Sequence, residues 1–107
     1  MKNLGQMMRQ AQEMQAKMAE LQEQLAATEI TGVSGGGMVR VTSNGKGVMR
    51  AVKIDPILLD GSEVAVLEDL IVAAANDARA KAEAATAERM RELTGGLALP
   101  PGFKLPF

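Results

Sequence analysis

MVRVTSNGKGVMRAVKI, residues 38–54, is the stretch that decides the fold. Val39 and Val41 alternate with Arg40 and Thr42, which is the period-two pattern of a half-buried strand over Met38 to Thr42. Asn44-Gly45 follows, a hairpin signal because both residues tolerate the left-handed backbone that a tight connection between two strands requires. Gly47 just beyond it points to a slightly longer or bulged connection. Val48 to Ile54 then forms the next strand. Its alternation is imperfect, since Arg50 shares a face with Val52 and Ile54, and this places a bulge or a strand end near Arg50.

Upstream, Thr28 to Val33 also alternates and reads as a short strand, separated from the hairpin by Gly35-Gly36-Gly37, a turn-forming run. Three consecutive antiparallel strands make a meander. Downstream, Asp55-Pro56 ends the sheet, because the residue before proline is held extended and proline has no N–H for a ladder. Asp60 with Glu63 three residues on reads as a capping box for a long helix reaching about Thr94, with Gly95-Gly96 as its stop. The inward stripe of that helix is Val64, Leu67, Ile71, Ala74, Ala78, Ala82 and Ala85, with its large residues first and small ones later. The chain opens on another helix, about Asn3 to Ala27, with Asn3 and Gln6 as a capping box. Helix, three strands and helix place the protein in the α+β class. The expected organisation is one domain over 1–96 followed by a proline-rich tail, 97–107.

The first helix carries more apolar surface than its own domain can cover. Leu4, Met7, Ala11, Met14, Met18, Leu21 and Leu25 recur at alternating steps of three and four, a heptad seam. A helix of that length spans about 37 Å, whereas strands of about seven residues reach about 23 Å. The overhang needs another helix, and a second copy supplies one. Leu4, Met7, Met14, Met18 and Leu21 are therefore the expected homodimer contacts. The composition agrees: the two aromatic residues, Phe103 and Phe107, both lie in the tail, so the core is built from smaller aliphatic side chains.

Residue types exclude much chemistry. There is no Cys and no His among the 107 residues, which removes thiol chemistry, thiolate metal sites and the commonest general base. The glycine-rich runs fail as phosphate loops: a Walker A match ending at Gly45-Lys46 would need Gly at 40 and Ser or Thr at 47, where Arg40 and Gly47 stand. Asp55 and Asp60 flank a turn and fit ordinary turn and cap roles. The chain reads as no enzyme, with no cofactor, metal or small-molecule substrate. No apolar run approaches the roughly 18 residues of a membrane span, and a cytoplasmic protein is expected.

Net charge is −1, and charge by itself does not point to nucleic acid. Basic residues form two thin groups on the helices: Lys2, Arg9 and Lys17 on the first, and Arg79, Lys81, Arg89 and Arg91 on the last. The second group is interleaved with Asp77, Glu83, Glu88 and Glu92, so Asp77–Lys81 and Arg79–Glu83 can pair at i,i+4.

GGGMVRVT at 35–42, NGKG at 44–47, VKIDP at 52–56, LEDLIVAAANDA at 67–78 and LTGG at 93–96 together resemble the YbaB/EbfC family of nucleoid-associated proteins, and in order they cover nearly the whole chain. The resemblance implies a homodimer, a small sheet in each subunit and helices projecting as tweezer arms. It implies binding to double-stranded DNA, alteration of DNA conformation, and a role in nucleoid organisation and gene regulation. It attributes DNA contact to the arms, hence to Lys2, Arg9, Lys17, Arg79, Lys81, Arg89 and Arg91 as phosphate-neutralising residues. The other reading is a protein-interaction module in which the arms and apolar tail grip another protein without DNA.

Overall fold

β2 (Val39–Asn44) lies between β1 (Glu29–Ser34) and β3 (Met49–Ile54) in an antiparallel sheet of order β1-β2-β3. The structure, a computed structural model, describes residues 3–93. The tail 97–107, Gly95-Gly96 and Lys2 lie outside the described residues. Val41 faces Gly32 on one side and Val52 on the other, so the inner side of the central strand is set by Val39 and Val41, both fully buried. The bulge expected near Arg50 is present: Thr42 faces Ala51 and Ser43 faces Met49, leaving Arg50 without an opposite residue.

The Gly35–Gly37 run forms a tight 3-10 turn in which all three residues have positive φ, from 58° to 96°. Such a backbone is strained for residues with a side chain, so glycine is the residue that lets β1 turn directly into β2.

α2 (Val64–Leu93) lies across β1 and β2. Its small residues do the packing. Ala74 and Ala78 are buried against Val39 and Val41, while Leu67 and Ile71 are half-buried beside them. The approach is close enough that a Cβ on Gly32 would collide with the backbone of Ala74 and Ala78, lying 2.7 Å from Ala78 Cα. Of the expected stripe, Val64 is exposed instead, because it precedes the part of the helix that reaches the sheet.

α1 (Leu4–Ala27) runs antiparallel to the end of α2 and touches the rest of the molecule through its last turns. Leu21 and Leu25 form a second small core with Met90, flanked by Met18 and Leu93. Leu21, expected between copies, is thus covered within its own chain. The hairpin turn locks this end in place. Gly45 N–H donates to Leu25 O at 2.8 Å, and Gly45 O accepts from Thr86 Oγ1 at 3.3 Å. A Cβ on Gly45 would sit 2.8 Å from Leu25 O, so the turn glycine also permits the helix contact. Toward its start α1 leaves the body of the protein, giving an elongated molecule of 72 × 25 × 17 Å.

The two expected capping boxes do not form. Asn3 makes no side-chain cap bond. Asp60 Oδ1 accepts instead from Ser62 N–H at 2.9 Å and Ser62 Oγ at 2.7 Å, closing a local turn before the helix begins at Val64. These two bonds, the backbone one first, lower the Asp60 pKa below its ordinary 3.8.

Candidate nucleic-acid interface

The α2 cations are committed to local partners. Arg79 Nε lies 3.3 Å from Glu83 Oε1, and Arg91 Nη2 lies 3.2 Å from Glu88 Oε1. Arg89 Nη1 donates to Gln24 Oε1 on α1 at 3.3 Å. Lys81 has the most structural placement. Its Nζ sits 2.9 Å from Asp77 Oδ2 and donates to Thr31 O on β1 at 3.1 Å. Asp77 Oδ2 in turn accepts from Val33 N–H at 2.9 Å. The pair Asp77–Lys81 therefore supplies side-chain partners to an N–H and a C=O on the outer edge of β1. The Val33 bond, followed by the Lys81 ammonium, holds the Asp77 carboxyl below its ordinary range.

The α1 cations differ. Arg9 and Lys17 are exposed and form no ion pair among the described residues. Lys17 borders a shallow depression between the helices with Glu20, Gln24, Arg89 and Glu92, so the helix contact brings Lys17 and Arg89 together but adds two acids to their surroundings. Arg9 lies farther out on the projecting part of α1, and Arg79 and Lys81 lie back over the sheet. The expected cations thus occupy separate places along the molecule rather than one patch.

Apolar side chains are left uncovered on α1, on β3 and, as Ile57, Leu59, Val64, Val66 and Val72, around the start of α2. On α1, Leu4, Met7 and Met14 are 58, 62 and 45% exposed. On the sheet, α2 covers β1 and β2 but stops short of β3, whose Met49 and Val52 are exposed together with Val48 before them. The gap is an open groove of about 930 Å³ bordered by Val41, Met49, Ala82, Thr86, Ala87 and Met90.

Four cations that the sequence reading passed over lie on the hairpin: Arg40, Lys46, Arg50 and Lys53, all exposed. The signal was available. Between Glu29 and Asp55 there is no acidic residue, so residues 30–54 carry four cations and no acid while the rest of the chain carries eight cations against thirteen acids. A net charge of −1 conceals this division. Among the described residues no group of His, Cys, Asp or Glu is arranged to hold a metal ion, and no helix is long and apolar enough to cross a membrane.

Residues 1–97 match the YbaB/EbfC DNA-binding family. Relatives matched over their full lengths and the whole of this chain include nucleoid-associated proteins of Paramagnetospirillum magneticum at 66% identity, Rhodospirillum rubrum at 58% and Brucella ovis at 56%. The crystal structure of an uncharacterised protein from Helicobacter pylori superposes with a TM-score of 0.64 at 29% identity, covering 86% of this chain and 92% of that one. On residues, fold and relatives together, the chain belongs to the YbaB/EbfC family.

Proposed function

We propose that this protein is a nucleoid-associated protein that binds double-stranded DNA as a homodimer, alters its conformation, and serves nucleoid organisation and gene regulation in the cytoplasm. The family is described as DNA-binding, and relatives at 56–66% identity carry the name nucleoid-associated protein. No catalytic role is assigned.

The observation that carries the dimer is the uncovered apolar surface on α1 and β3. Leu4, Met7, Met14 and the half-buried Met18 form one stretch, and Val48, Met49 and Val52 another. Burying the part still exposed, about half of each side chain, is worth on the order of 1 kcal/mol apiece, and a second copy offers the same surfaces in return, as a two-fold interface requires. A dimer also doubles the cations presented to a duplex. Lys2, Arg9, Lys17, Arg79, Lys81, Arg89 and Arg91 are the arm residues assigned to phosphate, with Arg9 and Lys17 the most available in this structure.

Sedimentation at micromolar concentration tests the first half, with a dimer expected and a folded monomer overturning it. Gel-shift titration of duplex DNA at several salt concentrations tests the second. Binding should weaken steeply as salt rises, with a log–log slope of about −0.9 for each phosphate neutralised. Absence of binding at low salt, or binding indifferent to salt, would overturn the DNA reading.

A further inference from the structure

Beyond the helical arms, we infer that the face of the sheet turned away from α2 is itself a phosphate-binding surface for duplex DNA, centred on Arg40 and Lys53. This rests on the DNA reading above and adds to it a contact surface that the arms do not supply.

The register places the two residues together. Arg40 on β2 lies directly opposite Lys53 on β3, and cross-strand neighbours stand about 5 Å apart at Cβ on the same face of the sheet. That face is the outer one, because Val39 and Val41 on either side of Arg40 are buried toward α2. The next row of the same face is Thr31, Thr42 and Ala51, short side chains that leave both cations exposed, with the Arg40 guanidinium lying back over Gly37. Val33 completes the Arg40 row on β1. No described acid forms an ion pair with Arg40 or Lys53, and the sequence holds none from residue 30 to residue 54.

Like charges facing each other across a ladder oppose folding. Arg79, Lys81 and Arg91 on α2 avoid this by pairing with acids one turn away, whereas Arg40 and Lys53 have no such relief within the sheet. A polyanion supplies it. Lys46 borders the groove on the α2 side of the hairpin and Arg50 sits at the bulge, so the outer face is centred on two cations, Arg40 and Lys53. The row of small and hydroxyl side chains beside them sets no pocket for a base. The contact is therefore to phosphate and is independent of DNA sequence.

The test compares Arg40→Ala/Lys53→Ala with the wild type and with Arg79→Ala/Lys81→Ala in gel-shift titrations of one duplex at several salt concentrations. The sheet variant should bind at least about tenfold more weakly at 0.1 M salt, with a salt slope shallower by about two, one for each lost phosphate contact. Arg40→Lys/Lys53→Arg, which keeps the charge, should bind like the wild type. Thermal melting of the alanine variant should be unchanged or higher, since the repelling pair is gone. A sheet variant that keeps wild-type affinity and slope while the wild type binds DNA overturns this inference and leaves the DNA reading standing. A wild type that fails to bind duplex at low salt overturns both.

Discussion

The two edges of the sheet are finished differently, and the difference shows where the molecule is complete and where it is not. At the β1 edge α2 lies close, Asp77 takes the Val33 N–H, and Lys81 caps the Thr31 carbonyl. Exposed strand edges invite pairing with other chains, and covering or charging them is how folded proteins block it. β1 has both protections. β3 lacks the cover: α2 does not reach it, its side chains Met49 to Lys53 are exposed, and the groove beside it stays open, so its guard is the charge of Arg50 and Lys53 and the bulge at Arg50. One edge is closed by specific hydrogen bonds and a helix, and the other is left uncovered, which is the side the proposed dimer would use.

The largest effect should come from disturbing the closed edge. Gly32→Ala drives a methyl group into the α2 backbone at Ala74 and Ala78. Backbone does not yield as a flexible side chain would, so about 3 kcal/mol of stability should be lost, visible as a strongly lowered melting temperature or failure to fold. A variant that melts like the wild type would mean that α2 can shift off β1 cheaply, and the contrast between the edges would lose its basis. At the open edge, Met49→Glu/Val52→Glu should leave the single chain folded, because both residues are already exposed within it. If the partner covers them, each substitution removes about 1 kcal/mol of burial in each protomer, and the dimer dissociation constant measured by sedimentation should rise by at least about a hundredfold.

Much of this layout was legible in the sequence, and the parts that were not share a cause. The meander followed from Val39, Val41, the Asn44-Gly45 turn and the irregular phase at Arg50, all local signals. The overhang of α1 followed from counting lengths, and Leu4, Met7 and Met14 are indeed without cover in the single chain. Leu21 was assigned outward because a heptad seam does not mark where a helix leaves its own body. That depends on Met90, sixty-nine positions later in the chain and outside the stripe read for α2. Asp60 looked like a cap because carboxylate spacing cannot say whether Ser62 will take the bonds first. The Asp77–Lys81 pair is legible from its i,i+4 spacing, but the Lys81 tie to β1 is not, because it spans fifty residues. The basic hairpin is hidden in any sum over helices or over the whole chain, although the absence of acids from 30 to 54 is plain once the strands are taken as one surface.

The Asp77–Lys81 cap gives a pH-dependent test of the closed edge. Asp77 has a native pKa below its ordinary 3.8, so the folded state favours the carboxylate. Its contribution is fully present above the unfolded value and is lost as pH falls through the lower native one. Amide exchange at Val33 should therefore accelerate, beyond the intrinsic pH trend, as pH drops below the ordinary carboxylate range. Asp77→Asn should show faster Val33 exchange at neutral pH and should lack that acid-limb acceleration. Equal protection in both proteins would mean that close packing by α2, rather than the carboxylate, shields the edge.

Arg79 provides the smallest expected effect and separates the helix cations by role. Its partner Glu83 lies on the same helix, and the two side chains are 78 and 70% exposed, so Arg79→Ala should change stability by less than about 0.5 kcal/mol. Lys81→Ala, which also uncaps Thr31 O, should loosen the β1 edge, seen as faster exchange along that strand. The same pair can then be read on DNA. If Arg79 touches phosphate, its alanine variant should lower the salt slope by about one with its melting curve unchanged. Should Lys81→Ala weaken DNA binding only as far as β1 loosens, its ammonium belongs to the fold and not to the interface, and the cations of α2 divide along the same line as the two edges of the sheet.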